Sequence, residues 1–136
     1  IGLNLSKKNS YLVKKIQEYD LTERIILYGK TFEVQNILNA LDIHVLSSKM
    51  EGFGMVILES MASGVPCIST NVGSAKDIIG ETGWVVERSN HRDLAKAINL
   101  ILNNKNILYE KSLMVRKRVE QNYSIEKMNF DYLQLY

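Results

Sequence analysis

Two carboxylates, Glu51 and Glu59, stand eight positions apart in the segment "SSKMEGFGMVILESMASGVPCIST" (47–70). Gly52, Phe53 and Gly54 follow the first acid directly, and an apolar run, 55–62, surrounds the second. This order of residue types suits a ligand that carries both phosphates and hydroxyls. Glycine lets a backbone approach a phosphate closely, and a helix beginning near Met55 would aim its free N–H groups and positive dipole end at that anion. Glu59 would then lie roughly 6 Å inside the helix. With Val56, Ile57, Leu58, Met61 and Ala62 about it, the sequence predicts a buried carboxylate in need of partners. A ribose offers two adjacent hydroxyls for one carboxylate, the helix start takes the diphosphate, and a further group lies near Glu51. The implied order is nucleoside, diphosphate, sugar, with Phe53 walling the pocket. Read one at a time, a helical Glu is most often a solvent-facing residue and a Gly-rich turn is most often only a turn. The composite of acid, Gly-Phe-Gly, apolar helix and second acid is more specific than any of its parts.

The elements that must position these groups follow from hydrophobic patterning. Residues 24–29, 42–48, 66–70 and 83–87 are short Ile- and Val-rich runs bounded by Gly, Asp or Ser, as buried parallel strands are. Helical spacing separates them. Residues 9–19 place Leu12, Val13, Ile16 and Tyr19 on one face, 34–41 do the same with Ile37, Leu38 and Leu41, and 55–63 and "AKDII" (75–79) follow. Three further helices are expected over 93–102, 108–123 and 124–136, the last opened by a Ser124 cap with Glu126 in its first turn. The predicted fold is α/β: a Rossmann-like open parallel sheet with helices on both faces and a helical C-terminal tail. Ligands of such sheets bind beyond the carboxyl ends of the strands, where 47–54 falls.

Composition excludes several function classes. A chain of 136 residues makes one domain but is small for an enzyme that binds two substrates. A net charge of +2 gives no footprint for nucleic acid, and no apolar stretch is long enough to span a membrane. Cys67 is the single cysteine, in the apolar run "VPCIS", so neither a disulfide nor a cysteine-rich metal site can form. A reducing, cytoplasmic setting is expected. His44 and His91 have no neighbour placed to complete a metal site, and no metal is assigned. Asn71, Gly73 and Ser74 lie on the ligand side of the sheet, although a turn into the next helix explains them almost as well. Lys111, Arg116, Lys117 and Arg118 are interrupted by Glu110 and Glu120, which reads as a solvated helix face rather than a membrane surface.

The stretch "DIHVLSSKMEGFGMVILESMASGVPCISTNVGSAKDIIGETGWVV" resembles the signature region of the retaining glycosyltransferases of family 4, with Glu51 and Glu59 as their E-x7-E motif. The likeness extends through "RIILYGKTFEVQNILNALDI" and "HRDLAKAINLIL", and "YSIEKMNFDYLQLY" is similar to the family's last helix. The resemblance implies that residues 1–136 are the carboxyl-terminal, donor-binding half of a two-domain GT-B fold. It implies that Glu51 lies near the donor sugar as the catalytic acid residue and that the backbone of Gly52, Phe53, Gly54, Met55 and Val56 surrounds sugar and diphosphate. Glu59 would hold the ribose, and Lys30 and Thr31, in the loop 30–33, would touch the base. The substrate implied is a nucleoside-diphosphate sugar, with no metal cofactor. The acceptor domain and a basic pair gripping the diphosphate would lie upstream of Ile1, at least one strand of the sheet would be missing, and any membrane contact would come through that other domain. Alone, the chain is expected to bind without catalysing transfer. A nucleotide- or phosphate-binding module with no chemistry is the alternative from a different class, and an upstream acceptor domain would separate the two.

Overall fold

In the computed structural model, which describes residues 1–135, the chain divides into two compact units, 1–34 and 35–136. The first holds α1 (Ser10–Glu18), whose N-terminus is capped by the Asn9 side chain accepting the Leu12 amide at 3.1 Å. The run 24–29, expected to be a strand, is not one. Its Gly29 amide donates to the Leu5 carbonyl at 2.8 Å, and its Gly29 carbonyl accepts from Gly2 at 3.0 Å. The remainder of the run forms no ladder among the described residues, and Ile26 stays 86% exposed. An apolar β-branched run becomes a strand only when a neighbouring strand supplies the hydrogen bonds.

The second unit contains a three-stranded parallel sheet, β1 (His44–Leu46), β2 (Cys67–Thr70) and β3 (Trp84–Val86), in the order β1-β2-β3. The register pairs His44 with Cys67 and Ile68 with Trp84. Helix α2 (Val34–Leu38) precedes β1 and ends three residues before the predicted limit, the turn at 39–41 closing on Ile37 and Leu38 carbonyls. α3 (Met55–Ala62) connects β1 to β2, and α4 (Ala75–Ile79) with a 3-10 turn (Gly80–Thr82) connects β2 to β3. These are the crossovers that parallel pairing requires.

All four residues of β2 are buried, so helices cover both faces of the sheet. Cys67 points to a core shared by Ile57 and Met61 of α3, Ala75, Ile78 and Ile79 of α4, and Val115. Strand alternation sends Ile68 to the opposite face, and α5 (His91–Leu102) packs on β2 and β3. Each fully buried Ile or Met contributes about 1.5–3 kcal/mol. The tail is helical, with α6 (Lys105–Asn122) and α7 (Ile125–Leu133). Ser124 caps α7 as expected, accepting the Lys127 amide at 3.1 Å. Asn90 and Asn104 cap α5 and α6, and both helices consequently begin a few residues before their apolar periodicity does. α6 is clasped to α4: the Arg118 guanidinium donates to the carbonyls of Ile78 (2.8 Å) and Asp77 (2.7 Å), and the Tyr123 hydroxyl donates to Asp77 at 3.2 Å.

Candidate functional site

The loop 47–54 leaves the carboxyl end of β1 and enters α3, as the hydrophobic pattern predicts. Gly54 is its last residue. It is buried, with φ 95° and ψ 42°, a left-handed conformation that carries little cost only for glycine. As N-cap it offers no side-chain acceptor, so the first turn of α3 has no capping hydrogen bond of that kind. A Cβ at Gly52, in contrast, would meet nothing within 4 Å. No neighbour in the protein demands a glycine there, and the space above it is open.

Glu51 is half-buried and oriented from the sheet. The buried Thr70 hydroxyl, at the end of β2, donates to the Ser48 carbonyl at 2.6 Å, and the Ser48 hydroxyl donates to Glu51 Oε1 at 2.7 Å. Ser48 and Thr70 do not stand out in the sequence. Their link crosses 22 residues, and a Ser three positions before a Glu is the one local hint.

Glu59 corrects an expectation. It is exposed, on a stripe with Met55 and Ala62, while Ile57, Ser60 and Met61 face the core. The buried polar residue of α3 is Ser60, whose hydroxyl donates to the Val65 carbonyl at 3.2 Å. One residue on a helix turns by about 100°, so a side chain next to a core position can face solvent. Glu59 still follows Met55 by one turn on the same side of α3, and neither Glu51 nor Glu59 joins an ion pair among the described residues. Phe53 and Met55 are exposed by 48% and 58% and Val56 is half-buried, so these residues border an open surface rather than an enclosed pocket.

A second loop, 71–74, leaves β2 at the same end of the sheet. The Asn71 amide donates to the Val86 carbonyl at 2.7 Å, and its side chain donates to Glu87 at 3.3 Å, tying the loop to the end of β3. Gly73 packs against the carbonyls of Glu51 and Gly52. Structure thus brings Glu51, Gly52, Phe53, Gly54, Met55, Val56 and Glu59 onto one loop and helix start, with Gly73 behind them. Lys30 and Thr31 belong to the first unit, where the Lys30 ammonium sits 5.1 Å from the Phe32 ring centre and Thr31 Oγ1 accepts the Glu33 amide at 3.0 Å.

The remaining candidates do not assemble into reactive chemistry. Burial pushes the Cys67 thiol up to about 11 and lowers the His44 imidazole from its ordinary range. Cys67 Sγ lies 3.6 Å from His44 Nδ1, a contact of two uncharged groups inside the sheet. His91 is exposed at the start of α5. No group of three or more His, Cys, Asp or Glu that could hold a metal ion occurs among the described residues. Nor, among these residues, is any helix long and apolar enough to cross a membrane.

A family model described as glycosyl transferases group 1 matches residues 1–122. N-acetyl-alpha-D-glucosaminyl L-malate synthase of Bacillus anthracis is 29% identical over 127 residues, which cover 92% of this chain and 33% of that protein. The C-terminal domain of LpcC, a glycosyl transferase group 1 family protein from Francisella tularensis, superimposes with a TM-score of 0.76 at 27% identity, over 87% of this chain and 63% of that one. A mutant of S. aureus TarM, solved in complex with fondaparinux, alpha-GlcNAc-glycerol and UDP, gives a TM-score of 0.80 at 27% identity, over 92% of this chain and 26% of that one. The chain spans about a third of the length of the Bacillus relative.

Proposed function

The chain belongs to the glycosyl transferases group 1 family, and from that premise we propose that it is the donor-binding part of a retaining, hexosyl-transferring enzyme of family 4 with a GT-B fold. Its substrate is a nucleoside-diphosphate sugar, and the acceptor is a glycan or glycolipid engaged by an N-terminal domain outside residues 1–136. The work is done in the cytoplasm, at the inner face of the membrane where a glycolipid acceptor lies. One observation carries the reading. A helix start without a side-chain cap, entered through a left-handed glycine, lies at the carboxyl end of a parallel strand with Glu51 before it and Glu59 one turn in.

Within that reading Glu51 sits beside the transferred sugar, held by Ser48. The amides from Gly52 to Val56 surround sugar and diphosphate, and Glu59 accepts from the ribose hydroxyls. Departure of the nucleoside diphosphate builds negative charge on its phosphate oxygens. Amides pre-aimed from a helix N-terminus stabilise that charge as it develops, together with cations contributed from outside this chain, and the step needs no divalent metal. The UDP of the TarM complex supports the ligand class, and the likeness to the C-terminal domain of LpcC supports reading the chain as a C-terminal domain.

An NMR titration of the chain with UDP, GDP and ADP tests the proposal. Amides of residues 52–57 are expected to move, those of α5 to stay, and no sugar transfer to an acceptor is expected from the chain by itself. Shifts clustered away from 52–57, or unaided transfer, would overturn it.

A further inference from the structure

We propose that Gly73 is a positioning residue for the donor site, acting through the backbone of Glu51 and Gly52; the inference rests on the donor reading above. Gly73 has φ +52°, in the left-handed region, and a Cβ built on it would lie 2.1 Å from the Gly52 carbonyl oxygen and 2.9 Å from that of Glu51. Both obstacles are main-chain atoms. A flexible side chain could swing away from an intruding methyl group, but here one of two loops must shift by about 1 Å or more to reach an ordinary contact.

The 71–74 loop is poorly placed to move. Its first residue is bonded to Val86, and Val72 is buried with its carbonyl accepting the Ala75 amide at 3.0 Å. On the other side, Gly54 packs on Ile57 and Ile78, and Glu51 is joined through Ser48 to Thr70. Displacement therefore falls on Glu51 and Gly52, between their two anchors. Those are the residues assigned to the sugar and the diphosphate. A bare glycine at 73 lets the second loop act as a stop that sets how far the first one lies from the bound donor.

Gly64 is a built-in control. Its φ is +79°, yet a Cβ there would meet nothing within 4 Å. Alanine at either position incurs backbone strain, and only alanine at 73 pushes on the donor loop. The experiment compares Gly73→Ala, Gly64→Ala and the unsubstituted chain by thermal melt, by amide spectra and by titration with UDP, GDP and ADP. Both variants are expected to melt lower. Only Gly73→Ala is expected to shift the amides of 51–55 before any ligand is added and to weaken binding by about tenfold. Gly73→Asn, which tolerates the left-handed region but keeps a Cβ, replaces the alanine variant if that one does not fold, with the same shifts expected. If the folded 73 variant binds as tightly as the Gly64→Ala chain, or leaves 51–55 undisturbed, the inference is overturned and the donor reading stands. If the unsubstituted chain shows no shift with any of the three nucleotides, the donor reading fails and this inference with it.

Discussion

Helices α3 and α5 both start after a strand of the same parallel sheet has ended, and they start in opposite ways. α5 begins on Asn90, whose side chain accepts the Asp93 amide at 3.1 Å, while Lys96 holds the Asp93 carboxylate at 3.0 Å. The hydrogen bond from Lys96 keeps the Asp93 carboxyl below its ordinary range. α3 begins on Gly54 and has neither a side-chain cap nor an acid in its first turn. A cap contributes about 1 kcal/mol to a helix, so the bare start of α3 forgoes that stability. What it keeps is a set of backbone donors that no side chain caps, with no acid in the first turn to repel an anion. The carboxyl end of one sheet thus presents a closed helix start and an open one, and the difference between them is chemical rather than topological.

Gly54→Ala should break the comparison most severely. Left-handed φ costs a residue with a side chain about 1–2 kcal/mol, and the new Cβ would press on Ile57 Cδ1 at 3.3 Å. A urea melt should register that loss, with nucleotide-induced shifts at 52–57 diminished; undiminished stability would show that the open start is not held by its glycine. Glu59→Gln sharpens the comparison from the ligand side. Binding of the preferred nucleotide is expected to weaken by about 1–2 kcal/mol, since hydrogen bonds to a charged acceptor exceed those to a neutral one. Because Glu59 is exposed, stability should change by no more than about 0.5 kcal/mol. Unaltered affinity in calorimetry would remove Glu59 from the site. Asn90→Ala should have the smallest effect on function: about 1 kcal/mol off stability and none off nucleotide affinity. A loss of affinity there would mean that the closed start also serves the ligand.

The strands at 44–46, 67–70 and 84–86 were legible because a buried parallel strand needs apolar side chains on both faces, and few other segments of this chain carry them. Residues 24–29 carry the same pattern and make no ladder, since composition reports fitness for a sheet and says nothing of an available neighbour. The loop at 47–54 was legible through its glycines and acid. The facing of Glu59 was not, for a helix apolar at most of its eight positions gives little amphipathic phase. Ser48, Thr70 and the packing of Gly73 were out of reach for a different reason: each depends on residues about twenty apart being brought together by β1 and β2. Asparagine caps at 90 and 104 are local and were readable in principle, as Ser124 was.

The clasp of Arg118 and Tyr123 on the last carbonyls of α4 bears on how the protein is made. These bonds join residues 40, 41 and 46 positions apart, and ribosomes add about 5–20 residues per second. Roughly 2–8 s therefore separate the synthesis of α4 from that of the arginine that secures it. During that interval the nascent chain has the 71–74 loop but not the helix that pins the far end of α4, and contacts so distant in sequence form late because loop closure precedes them. A message truncated before the codon for Arg118 would release a polypeptide that holds residues 51–59 of the candidate site and lacks the brace behind them.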